Sequence, residues 1–146
     1  DKIDHYALFS VAIEIATKAH EGQTDKGGKP YILHPIRVAN RCETIEQKIV
    51  AILHDTIEDT YVIPNDLKSQ GFDDEIIEAI LSVTRQEGES YNHFIERCNS
   101  NKIGRQVKIA DLKDNLDLSR LESISEKDLP RLQKYLRALK RLTGQE

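Results

Sequence analysis

Residues 44–59 read TIEQKIVAILHDTIED. Glu46, Gln47 and Lys48 are polar, while Ile49, Val50, Ile52 and Leu53 recur at the spacing of one buried helical face. The run predicts a helix from about Thr44 to Ile57 with His54-Asp55 at its C-terminal end. His54, Asp55, Glu58 and Asp59 crowd four acid, base or ligand groups into six residues. On a continuous helix Glu58 lies four residues from His54 and three from Asp55, and Asp59 lies four from Asp55, so the groups share a broad face. Three carboxylates so placed repel one another unless a cation neutralises them.

The same periodicity extends outward in both directions. Asp4 caps a first helix in which Ala7, Leu8, Val11, Ala12, Ile15, Ala16 and Ala19 are the apolar positions, ending near Glu21-Gly22. The glycine-rich stretch Gly22 to Pro30 reads as a partly basic loop, and Pro35 falls in the first turn of a helix over about Ile36 to Cys42. Beyond residue 59, Pro64 opens a short helix stopped by Gly71. Asp73 opens another, with Ile76, Ile77, Ile80, Leu81 and Val83 as buried positions, ending near Thr84. Tyr91 to Cys98 and Ile103 to Leu116 read as two helices separated by Asn99-Ser100-Asn101, the second delivering Asp111 and Asn115. A capping signal from Ser125 to Asp128 precedes a last helix with Leu129, Leu132, Leu136, Leu139 and Leu142 as its stripe, ending near Gly144. No alternating β-branched run is found, so the fold class is all-α with about seven or eight helices.

The 146 residues fit one domain over 1–146, and 38% hydrophobic with 32% charged residues is the balance of a globular protein. Three Phe, five Tyr, no Trp and a net charge of −4 provide few stacking platforms and no polyanion-coating surface, which argues against long nucleic acid as a partner. No apolar run reaches the ~18 residues that span a bilayer, and residues 1–18 mix charged with apolar positions, so no membrane role and a cytoplasmic location are expected. Nothing in the sequence specifies an oligomer. Cys42 and Cys98 lack zinc or redox spacing and read as free, partly buried thiols.

A divalent metal resolves the repulsion among the acids after His54. Mixed imidazole and carboxylate donors favour Mn, Fe, Co, Ni or Zn over Mg or Ca. His34, before a proline at a loop-to-helix junction, and Asp111, after Val107, Ile109 and Ala110, are polar groups beside expected core. With His54 and Asp55 they make a plausible four-ligand set. Such a set leaves positions open for water and a phosphoryl oxygen, and Glu58 and Asp59 would orient and deprotonate that water. His5, His20 and His93 read as non-ligands.

Five motifs in order make the chain similar to a known family: Ala19-His20-Glu21-Gly22-Gln23, then Lys29 to Ala39 with Tyr31 and His34-Pro35, then Ala51 to Thr60, then Val83-Thr84, then Val107-Lys108-Ile109-Ala110-Asp111 with Asn115. They resemble the HD superfamily, and within it the hydrolase domain of the RelA/SpoT type, including stand-alone small alarmone hydrolases. The resemblance implies a single HD helical bundle holding one metal, commonly Mn²⁺, on His34, His54, Asp55 and Asp111, with Glu58 and Asp59 serving the attacking water. It further implies removal of 3′-pyrophosphate from guanosine tetra- or pentaphosphate, the signal nucleotides of the stringent response, and 146 residues leave an expectation of a dedicated hydrolase rather than a hydrolase joined to a synthetase domain.

A nucleotide bearing two pyrophosphates needs cationic partners. Lys26, Lys29, Arg37, Arg41, Arg85, Lys108, Arg131, Lys134 and Arg137 are the candidates. The resemblance places Lys26 near the nucleotide, Asn115 beside ribose and metal, and Tyr135 towards the distal phosphates; from the cationic candidates, Arg85 and Lys134 are added as expected substrate contacts. Asp25 and Asp117 stand where the family usually has Arg, and Leu112 where it has a basic residue; these departures bear on base choice and phosphate count, not on the metal. An HD nucleotide phosphatase or an adenosine-alarmone hydrolase keeps the same metal, and a nucleotide-binding sensor is the non-enzymatic alternative.

Overall fold

Ile49, Val50, Ala51, Ile52 and Leu53 are all buried, at 0–1% exposure, so the segment that carries them is apolar on every side. A helix of that kind belongs at the centre of a domain. In the computed structural model, which describes residues 2–145, it is the short helix α3 (Ile45–Leu53). Burial of each large aliphatic chain there contributes ~1.5–3 kcal/mol, which fixes the helix that ends at His54.

Four helices surround α3: α1 (His5–Ala19), α2 (Leu33–Asn40), α6 (Asp74–Ser82) and α8 (Lys102–Asn115). The remaining segments are the single turn α4 (Thr56–Asp59), α5 (Pro64–Ser69), α7 (Tyr91–Ser100) and α9 (Leu129–Thr143), with 3-10 turns at Leu118–Arg120 and Glu126–Asp128. Helices α7 and α9 pack on α8 and on each other. Among the described residues there is no strand, only an isolated bridge between Thr24 and Pro30. The all-α class is as expected.

The helix expected over residues 44–57 is in fact two. His54 Nδ1 donates to the Ala51 carbonyl at 2.6 Å, and Thr56 Oγ1, fully buried, donates to the Leu53 carbonyl at 2.8 Å. Side chains thus occupy carbonyls that a continuous helix would use for its own ladder. The chain turns at His54-Asp55 and restarts as α4 with Asp55 at its N-cap. This break supplies the ninth α-helical segment among the described residues, where about seven or eight were expected. His54 and Glu58 therefore do not share one helix face.

Other boundaries shift slightly. Helix α2 begins at Leu33, so Pro35 is its third residue, and α7 runs on to Ser100. Asn101 alone separates α7 from α8, and its Oδ1 accepts from Gly104 N at 2.8 Å. Gly104 lets α8 approach α6: a Cβ there would lie 2.0 Å from Ser82 Oγ. On α1 the buried positions are Leu8, Ala12, Ala16 and Ala19, whereas Ala7 is exposed. Leu81 on α6, and Leu129 and Leu136 on α9, also face solvent, at 38%, 46% and 46% exposure. Helix α9 buries Leu142 and packs Leu139 inward as expected, and adds Ala138 and Tyr135 to that face. Cys42 and Cys98 are free and buried, and burial pushes both thiols up to about 11.

Candidate metal centre and substrate cavity

Three helices bring their polar residues to one point. His34 comes from the first turn of α2, His54 from the C-terminal end of α3, and Asp111 from the middle of α8. All three are buried, and one donor atom from each lies within 4.8 Å of the others. His34 Nε2 is 2.9 Å and His54 Nε2 is 3.4 Å from Asp111 Oδ1; Asp55 Oδ2 is 3.1 Å from His54 Nε2. Separations of roughly 3 Å suit neighbouring ligands on one metal with bonds of ~2.1 Å. Asp55 thus stands beside His54, outside the tighter group of three.

The donor chemistry fits a divalent cation. His54 Nδ1 is committed to the Ala51 carbonyl, and its buried Nε2 has no hydrogen-bond partner although two carboxylates flank it. Burial acts against protonation of both imidazoles, yet Asp55 and Asp111 raise His54 well above its ordinary value, and bonds to Asp111 and Asp114 raise His34. Conversely, His54 brings Asp55 down to about 2, and Lys108 with His54 holds Asp111 well below the usual carboxylate range, both against burial. A site that strongly favours positive charge between imidazole nitrogens and carboxylate oxygens is one in which a metal can replace protons.

Surrounding side chains lock these donors. Tyr31 Oη donates to Asp55 Oδ2, Lys108 Nζ bonds Asp111 Oδ2 at 2.8 Å, and Asn115 Nδ2 bonds Asp111 Oδ1 at 3.1 Å. His34 Nδ1 is 2.7 Å from Asp114 Oδ2. His20, expected to be a non-ligand, is buried and bonds Gln23 Oε1 at 2.9 Å through Nδ1. Gln23 Nε2 in turn reaches the Asp59 carbonyl at 3.3 Å, tying the loop after α1 to α4.

Glu58 and Asp59 are exposed on α4. Glu58 Oε1 accepts from the backbone N–H of Arg85 at 2.8 Å, which pins α4 to the loop after α6. The Asp59 carboxyl is pushed up to about 6, first by desolvation and then by the charges of Asp55 and Glu58. A carboxyl with that value accepts a proton readily near neutral pH.

A cavity of about 750 Å³ opens over the cluster, with His34, Asp55 and Asp111 in its wall. Of the expected substrate contacts, Lys26, Asn115 and Tyr135 line it. Arg85 and Lys134 do not: the Arg85 guanidinium lies 5.5 Å and Lys134 Nζ 4.5 Å from the Tyr91 ring centre, beside the cavity. Lys29, Arg37, Lys108, Arg120 and Arg131 add positive charge to the wall.

The three family departures have local explanations. Asp25 Oδ1 accepts from Gly27 N and Lys29 N, each at 2.9 Å, and closes the loop on itself. Leu112 is fully buried in the core and is not part of the cavity wall. Asp117 Oδ2 lies 3.5 Å from Arg120, so an acid at one position is accompanied by a base three residues on. Arg120 and Asp114 are not marked as functional by the sequence pattern. The only signal for Asp114 was its place three residues after Asp111 on a helix, a spacing that Asp and Lys on a solvated face also produce.

Fold and cluster together define an all-helical domain with a buried histidine–carboxylate cluster that could hold a metal ion. The chain belongs to the HD domain family, whose sequence model matches residues 12–139. It is 30% identical over 124 residues to a guanosine-3′,5′-bis(diphosphate) 3′-pyrophosphohydrolase of Aquifex aeolicus, a match covering 77% of this chain and 18% of that protein. It is 40% identical over 88 residues to the bifunctional (p)ppGpp synthase/hydrolase SpoT of Escherichia coli, covering 56% of this chain and 12% of SpoT. The chain therefore spans less than a fifth of these curated relatives. A solved structure from work on a metazoan ortholog of SpoT that hydrolyzes ppGpp superposes with a TM-score of 0.79 at 20% identity, covering 100% of this chain and 90% of that one. That likeness is one of fold. Among the described residues no helix is long and apolar enough to cross a membrane.

Proposed function

We propose that this domain is a divalent-metal-dependent hydrolase that removes 3′-pyrophosphate from guanosine tetra- or pentaphosphate, with Mn²⁺ on His34, His54, Asp55 and Asp111. The observation that carries the reading is the placement of buried metal donors in the wall of a cavity rich in Lys and Arg. Cationic walls suit a small, highly charged nucleotide. When bound, the metal supplies Lewis acidity and an acidified water. Asp59 is the stronger candidate to take the proton from the attacking water, because Glu58 is engaged by the Arg85 backbone and so serves to hold α4 in place. Lys26, Asn115 and Tyr135 hold the nucleotide, while Arg85 and Lys134 act on phosphates that extend towards Tyr91. Water adds to the phosphorus attached to the ribose 3′ oxygen, that P–O bond breaks, and the 3′ oxygen leaves with a proton, giving pyrophosphate and the 3′-hydroxyl nucleotide.

Incubating Mn²⁺-loaded protein with guanosine tetraphosphate, its adenosine counterpart and ordinary nucleotides tests the reading. Pyrophosphate from a 3′-pyrophosphorylated substrate is expected. Orthophosphate from ordinary nucleotides alone would place the domain among nucleotide phosphatases, and binding without product would make it a sensor. The adenosine compound belongs in the panel because Asp25 is spent on its own loop and leaves no arginine at that position for the base.

A further inference from the structure

Asp114 is one of the few fully buried charged residues, at 0% exposure, and it sits directly behind the metal cluster. A carboxylate without water must be compensated by donors, and removing them is costly. Its donors come from two functional directions. His34 Nδ1 lies 2.7 Å from Oδ2. Arg37 Nε donates to Oδ1 at 3.0 Å and to Oδ2 at 3.2 Å, and an Arg120 nitrogen reaches Oδ2 at 3.4 Å and the Asp114 carbonyl at 3.1 Å. Both arginines line the cavity.

We propose that Asp114 is a positioning residue that sets both halves of the site at once: it keeps the His34 proton on Nδ1, so that Nε2 faces the metal, and it holds Arg37 and Arg120 in the wall that meets substrate phosphate. An ionised carboxylate can only accept, so the proton between Asp114 and His34 belongs to the imidazole. That bond fixes the ring orientation and raises the basicity of the ligand nitrogen, an effect whose loss costs 10–100-fold in metal affinity at comparable sites. The same carboxylate fixes the guanidinium of Arg37 by a two-oxygen contact, which leaves its other nitrogens for the cavity. The inference rests on His34 being a metal ligand, as proposed above.

The test measures Mn²⁺ affinity by calorimetry on wild type, Asp114→Asn and Arg37→Gln, with circular dichroism to select folded protein, and KM for the 3′-pyrophosphorylated nucleotide. Asp114→Asn is expected to bind Mn²⁺ roughly 10–100-fold more weakly and to raise KM. Arg37→Gln is expected to raise KM with Mn²⁺ affinity within about twofold of wild type, since His34 keeps its partner. If Asp114→Asn fails to fold, the double variant Asp114→Asn with Arg37→Gln removes the stranded charge and should show the same loss of metal affinity. Folded Asp114→Asn, or the double variant, with wild-type Mn²⁺ affinity would overturn the proposal and leave Asp114 a structural ion pair. Wild type that binds no Mn²⁺ would instead remove the metal reading beneath it.

Discussion

Replacing Gly104 by alanine probes the contact that sets the height of α8 against α6, and hence of Asp111 against the two histidines. The new Cβ would lie 2.0 Å from Ser82 Oγ and 3.3 Å from Ser82 Cβ. Rotating the hydroxyl away relieves the first contact and forfeits its 2.7 Å bond to the Ala79 carbonyl. Overpacking of this kind costs ~1–3 kcal/mol, and alanine's helix propensity returns ~1 kcal/mol. The net expectation is a loss of about 0–2 kcal/mol, read by urea unfolding followed at 222 nm. In a Ser82→Ala background the oxygen is gone, so the same glycine change should become neutral or stabilising by up to ~1 kcal/mol. A coupling of about 1–2 kcal/mol between the two sites is therefore predicted. An equal cost of Gly104→Ala in both backgrounds would refute the close approach of α8 to Ser82.

Three further outcomes follow from the same geometry. Glu89 is 4% exposed at its side chain and is held far below the ordinary carboxylate range, first by Arg97, whose nitrogens lie 2.6 and 2.8 Å from its oxygens. A depressed folded value stabilises above the ordinary Glu pKa of ~4.3 and loses that contribution as pH falls through the folded value. Glu89→Gln should cost roughly 1–3 kcal/mol at pH 7 and flatten the acid limb of a thermal-stability profile; an unchanged limb would discount the pair. Cys42 and Cys98, raised to about 11, should resist iodoacetamide at pH 7.5 and label quickly only in urea, and rapid native labelling would show that the thiols are not enclosed. Asp59→Asn should lower kcat by about 10²–10⁴ with bound Mn²⁺ retained, because general-base catalysis typically contributes that factor; loss of metal along with turnover would make Asp59 a ligand.

Much of the helical order was legible because aliphatic residues recur at helical spacing around Leu8–Ala19, Ile76–Ile80 and Val107–Leu112. The break at His54-Asp55 was not, because it depends on the side chains of His54 and Thr56 reaching carbonyls one turn back, which an apolar pattern does not encode. On α9 the leucine stripe was right at Leu139 and Leu142 but not at Leu129 and Leu136, which face outward, while Tyr135 and Ala138, outside the stripe, pack inward. At the site, His34, His54 and Asp111 were visible as polar residues embedded in core sequence, and the fold brings them together. Asp114 was hidden because its partners, His34, Arg37 and Arg120, lie on other elements or in the following turn. The same holds for cations: sequence offers many Lys and Arg, and only the fold sorts Lys26 and Arg131 into the cavity wall and Arg85 and Lys134 onto Tyr91.

If His34, His54 and Asp111 hold a metal that the proposed hydrolysis requires, bound Mn²⁺ per chain and pyrophosphate release, measured on the same preparations of wild type and folded His54→Ala, must fall together. One ion per wild-type chain with metal-dependent pyrophosphate release is expected, and loss of both in His54→Ala. Undiminished Mn²⁺ binding and turnover in His54→Ala would contradict it.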